Sequence, residues 1–143
     1  MEDDGTPRFE VRPTSDSHFS WLRTRLSLER TLMSWVRTAV ALIGFGFTIV
    51  QFFERLRVME GVEPALQPQA PRYLGLALIA AGVLALLISA WQYRATVRYL
   101  LGQEFEPIAG LGETVGPTPL YAISIVMIFI GLFAFSAVFL RAV

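Results

Sequence analysis

Lysine and cysteine are both missing from the 143-residue chain, and histidine occurs once, as His18. Without cysteine there is no disulfide, no thiol nucleophile and no cysteine metal site. The one histidine lies in a polar N-terminal stretch and reads as a surface residue, so neither a metal nor a cofactor is expected. Charge is scarce as well: 17% of residues are charged and 54% hydrophobic, against roughly 25% and 45–50% in soluble domains. Twelve basic residues offset twelve acidic ones, so net charge points to no partner, and nucleic acid is not expected. All the basic residues are arginine. Arginine keeps its charge when partly buried and grips oxyanions through a planar fork, although a GC-rich genome produces the same bias. A cleavable signal peptide is not expected, because the first long apolar run begins near residue 38, behind an acidic start (MEDDG) and many arginines. No acidic pair lies in an apolar segment. The glycine-rich stretch AGLGETVG has neither a preceding strand nor a P-loop lysine. An enzyme is not expected.

What is abundant is apolar length. Residues 35–53, 74–91 and 120–140 form three apolar segments, each close to the ~20 residues that cross a ~30 Å hydrocarbon core. The last two carry no charge, whereas a soluble core helix of that length shows a polar face. The expected fold is an all-α membrane protein with three transmembrane helices, the first extended by a cytoplasmic amphipathic helix. Residues 1–17 read as a flexible polar arm, and 18–143 as a single three-helix domain with helices near 20–54, 73–100 and 119–141. Ser15, Asp16 or Ser17 is expected to cap the first helix. Residues 54–72, with three prolines, and the Gly/Pro-rich end of 92–119 read as loops.

Three crossings place the N-terminus and the second loop on one side. That side carries Arg8, Arg12, Arg23, Arg25, Arg30, Arg94 and Arg98, with Arg37 at the boundary; the other carries Arg55, Arg57, Arg72 and Arg141. Positive-inside bias predicts a cytoplasmic N-terminus and an outside C-terminus, in a bacterial inner membrane. Trp35, Trp91, Tyr93 and Tyr121 are expected as anchors at the cytoplasmic interface.

Residues 21–41 divide into sevens as WLRTRLS LERTLMS WVRTAVA. A seven-residue step drifts only ~20° around a helix, so Arg23, Arg30 and Arg37 make one nearly straight row. Ser20, Ser27 and Ser34 lie beside it, flanked by Thr24, Thr31 and Thr38. Leu22, Leu26, Leu32, Met33, Val36 and Val40 read as the apolar side, interrupted by Arg25 and Glu29, which are spaced to pair. Counting back ~20 residues from Glu54 puts the hydrocarbon edge near Ser34, so Arg37 sits about one turn inside. Three roles remain open. Arginines on an interfacial helix anchor it, with Arg37 snorkelling to headgroups. Copies packed stripe-inward make an arginine-lined anion path. A third option is a polar contact within one chain, such as Glu29 with Arg94 or Arg98.

The stretch LSLERTLMSWVRTAVALIGFGF resembles the signature of the family called domain of unknown function 202, typified by bacterial YidH-type inner-membrane proteins. The signature, L-x-x-E-R-T-x-L-x-W-x-R-T, falls on Leu26, Glu29, Arg30, Thr31, Met33, Trp35, Arg37 and Thr38. Met33 takes a leucine position, and Leu28 stands where many members have asparagine. The layout behind the resemblance covers residues ~20–141 and also resembles the membrane part of the vacuolar transporter chaperone complex. In that complex several copies surround a basic path for inorganic polyphosphate. The resemblance implies that Arg30 and Arg37 contact an anion in an oligomer. A counterpart of that complex's soluble polymerase and phosphate-sensing domains is not expected within these 143 residues.

Small residues recur at Ala77, Ala81, Ala85 and Ser89, with Gly75 and Gly82 nearby, and more weakly at Gly131 and Ser136. They read as ordinary packing inside the three-helix unit, as do Gly44 and Gly46. The leading expectation is a homo-oligomer in the lipid bilayer that forms a conduit for an anion such as phosphate or polyphosphate. Arg30, Arg37 and Arg23 would bind it, with Thr31, Thr38 and Ser34 as hydroxyl donors. The alternative is a non-conducting scaffold or accessory subunit whose stripe holds anionic lipid or a partner protein.

Overall fold

In the computed structural model of the chain, residues 12–59, 69–109 and 118–140 are described. They fold into α1 (Ser15–Val58), α2 (Ala70–Leu100), a short α3 (Glu106–Ala109) and α4 (Pro119–Leu140), with no strand among the described residues. The flexible-arm reading of the N-terminus falls largely on residues 1–11, outside the described residues, while residues 15–17 are already helical. Thr14 is the cap of α1, in place of the expected Ser15, Asp16 or Ser17. Its extended backbone lets its hydroxyl oxygen accept from the Ser17 N–H at 3.2 Å, which serves a helix N–H that has no partner of its own.

No proline interrupts α1, and it runs for 44 residues. Near its far end the Met59 N–H turns back to the Leu56 carbonyl. Proline stands in the first turn of α2, where a missing N–H costs nothing. At ~1.5 Å per residue the three long helices measure roughly 66, 46 and 33 Å. All three are long and apolar enough to cross a membrane, and α4 matches the ~30 Å core closely. Side-chain bonds fix its height. Tyr93 and Thr118 hydroxyls lie 2.8 Å apart at one end, and the Arg72 Nη2 donates to the Val138 carbonyl at the other, at 2.7 Å. The surplus of α1 and α2 therefore projects together past the start of α4, as a two-helix stalk.

The core runs along one stripe of α1: Leu32, Val36, Ala39, Ile43 and Val50 bury against Ile79, Val83 and Leu86 of α2, with Val138 of α4. Lipid supplies no hydrophobic drive between helices, so close backbone approach and dispersion hold them together. A Cβ on Gly46 would stand 2.7 Å from the Gly75 carbonyl oxygen, and one on Gly82 would stand 2.8 Å from that of Ala39. The glycines of α2 make this approach, while Ala77 and Ala81 of the alanine series face outward. Ser124, Gly131 and Val138 recur every seven residues as the buried line of α4.

The stalk is held differently. The Trp21 indole N–H donates to the Leu100 carbonyl at 3.0 Å. His18 is partly buried: its Nδ1 lies 2.7 Å from the Ile108 carbonyl of α3, and its ring stacks on Trp21. A carbonyl oxygen only accepts, so Nδ1 carries the proton. His18 is thus a clasp between α1 and α3 rather than the bare surface residue its polar neighbours suggested.

Candidate functional site

The arginine row lies on the side of α1 that neither α2 nor α4 covers. Arg23, Arg30 and Arg37 are exposed, as are Ser20, Ser27, Ser34, Thr24, Thr31 and Thr38. The threonine hydroxyls turn inward. Thr24, Thr31 and Thr38 donate to the carbonyls of Ser20, Ser27 and Ser34 at 3.0, 3.0 and 3.1 Å. Back-bonding four residues down the helix is what a threonine does in a helix interior, and it commits the proton. Thr31 and Thr38 therefore present oxygen lone pairs outward. Donation to an anion falls to the guanidinium groups and the Ser34 hydroxyl.

The carboxylate nearest the row in sequence, Glu29, is paired away from it. Glu29 lies 3.9 Å from Arg25, whose guanidinium also sits 5.7 Å from the centre of the Trp21 ring. Arg94 points to the Tyr121 hydroxyl at 3.5 Å, and Arg98 is exposed. Among the described residues, Arg23, Arg30 and Arg37 make no ion pair. The cross-helix partnership of Glu29 with Arg94 or Arg98 does not form, because Glu29 meets Arg25 one turn away on its own helix.

The apolar side of α1 is divided. Leu32 and Val36 are buried, but Leu26, Met33 and Val40 are 47, 48 and 42% exposed. Leu26 and Met33 border an open groove of about 720 Å³ between α1 and the start of α4. Arg30, Ser34 and Arg37 line one edge, and Thr118 and Pro119 stand at the α4 side. Leu120 and Ile123 complete an apolar wall opposite Leu26 and Met33. Pro119 has no N–H, and the Thr118 hydroxyl is engaged with Tyr93. The positive end of the α4 dipole therefore opens on the groove without a side-chain cap among the described residues.

Of the residues expected as aromatic anchors, Trp35 and Trp91 are 47 and 72% exposed. Tyr93 is buried and bonded to Thr118, and Tyr121 stacks on it at 6.4 Å. These two tyrosines join α2 to α4. Trp21 and His18 escaped the sequence reading as organisers of the stalk. Only the position of Trp21 seven residues before Leu28, on the packed stripe, hinted at burial. Among the described residues, no cluster of three or more His, Cys, Asp or Glu is placed to hold a metal.

No curated protein and no solved structure matches the chain significantly. Residues 20–99 match a family described as Domain of unknown function (DUF202), a segment that holds the row, the glycine contacts and most of α2.

Proposed function

The chain belongs to the DUF202 family of membrane-type helical proteins, and from that premise we propose that copies of it assemble into an arginine-lined conduit for an anion. The observation that carries this reading is the free row. By residue count Arg37 lies about one turn inside the hydrocarbon edge, on a face left exposed among the described residues. A charge at that depth is expensive unless paired or hydrated, and three helices cannot enclose a polar path alone. Copies packed row-inward would hydrate Arg37, with Arg30 and Arg23 leading to it from the stalk. Guanidinium forks suit oxyanions, so the cargo class is phosphate or polyphosphate. The arginines at the stalk end support an inner-membrane orientation with the N-terminus cytoplasmic and the C-terminus outside. In this reading the protein binds and passes an anion without catalysing a reaction on it.

A second reading, a non-conducting scaffold that holds anionic lipid or a partner protein, is favoured by the apolar flank beside Arg30 and Arg37. Native mass spectrometry in mild detergent separates the two first: a monomer or dimer rules out the conduit. If a ring forms, anion flux into liposomes should fall about tenfold in Arg37→Glu, the scale set by one charge-assisted contact. Unchanged flux and selectivity would return Arg37 to a lipid-anchor role.

A further inference from the structure

We propose that the groove between α1 and the start of α4 is a binding site for one acidic phospholipid, its phosphate on Arg30 and Arg37 and its upper acyl chain on the apolar wall. The two halves of the groove have opposite chemistry and lie at the depth where a lipid changes from headgroup to chain. Counting ~20 residues back from Glu54 puts the hydrocarbon edge at Ser34. Arg30 lies one turn to the water side of it and Arg37 one turn to the lipid side, so both guanidiniums can converge on a phosphate at that level. The Ser34 hydroxyl is a further donor between them. The positive end of the 22-residue α4 faces the same space, and anions are favoured there.

The wall decides between a lipid and a free ion. Inorganic phosphate has no use for Leu26, Met33, Leu120 and Ile123, which stay solvent-facing around it. An acyl chain covers them. Glu29 also lines the groove, and a small mobile anion entering from water would meet it. Its carboxylate leans instead toward Arg25, at 3.9 Å. The groove is about 720 Å³ and laterally open, which lets a lipid enter from the bilayer while its second chain stays in the leaflet. Acidic lipids enrich the cytoplasmic leaflet, the side on which the stalk arginines belong.

This inference does not rest on the conduit, since the groove is complete in one chain. The test uses the full chain, purified in detergent and mixed with micelles of phosphatidylglycerol or phosphatidylcholine at equal mole fraction. Lipid retained per chain is then read by native mass spectrometry. The wild type should keep one phosphatidylglycerol and keep phosphatidylcholine about tenfold less well. Arg37→Gln should lower phosphatidylglycerol retention about tenfold. Ile123→Gln should lower it as well, with every charge left in place. Arg98→Gln, on the same membrane side but outside the groove, should match the wild type. Circular dichroism of each variant confirms that its helices are intact. Equal retention of the two lipids would overturn the proposal, as would full retention in Ile123→Gln. Displacement of the lipid by excess inorganic phosphate would also overturn it, marking a site for the ion alone. A lipid-loaded monomer would sink the conduit and leave the groove standing; a conducting ring without bound lipid would do the reverse.

Discussion

Two faces of the same helix make opposite demands. The packed face of α1 is a problem of shape. Gly46 of α1 and Gly82 of α2 leave no room for a Cβ against the carbonyls of Gly75 and Ala39, and Ile43 and Val50 pack over Gly82 and Gly75. The free face is a problem of charge. Its threonine hydroxyls are satisfied by carbonyls of the same helix, its arginines make no ion pair among the described residues, and Gly44 has no neighbouring atom within 4 Å of where a Cβ would stand. Everything the packed face needs lies within the chain. The free face has no such complement among the described residues.

Substitutions can break that contrast, and the largest effect belongs on the packed face. Gly46→Val drives methyl groups into the Gly75 carbonyl and Ile79, and should cost about 1–3 kcal/mol in reversible unfolding from detergent micelles. A loss below ~0.5 kcal/mol would mean that the helices do not approach as closely as described. Next comes Trp21→Phe, which leaves the Leu100 carbonyl without its indole donor and should cost about 1 kcal/mol by the same measurement. The smallest effect is on the free face and has the opposite sign. Gly44→Ala should stabilise the monomer by roughly 0.5–1 kcal/mol, because alanine is the better helix former and nothing obstructs its methyl. If that gain comes with a shift to lower oligomers, Gly44 is where a second copy approaches.

The two faces also differed in how far the sequence disclosed them. The row was fully legible, since its period of seven is a property of one helix and needs no knowledge of neighbours. Three spans were legible from apolar length alone. The packed face was only half visible. Leu26, Met33 and Val40 look as buried as Leu32 and Val36, and only the position of α2 and α4 decides which of them finds a partner. The alanine series at Ala77 and Ala81 shows the same limit: small size permits close packing but does not say which side the neighbour takes. Hydroxyl direction was hidden for a different reason. Thr31 and Thr38 have the right chemistry to donate, and only the helix geometry shows the proton already engaged. The stalk clasp of His18, Trp21 and α3 rests on contacts between residues about 80–90 apart, beyond the reach of any local pattern.

The seven-residue spacing has a further consequence for how the arginines act together. Adjacent members of the row are separated by ~10.5 Å along the axis, slightly more than the ~8 Å over which physiological salt screens a charge in water. Arg23, in the stalk, and Arg30, beside the start of α4, are thus spaced to act as two independent charges whose fields in water fade as salt rises. At the depth proposed for Arg37, ions and water are scarce, so its field would reach farther and respond less to salt. In the proposed membrane placement, one residue repeated along one helix would thus supply a graded field: adjustable by ionic strength at Arg23 and nearly fixed at Arg37.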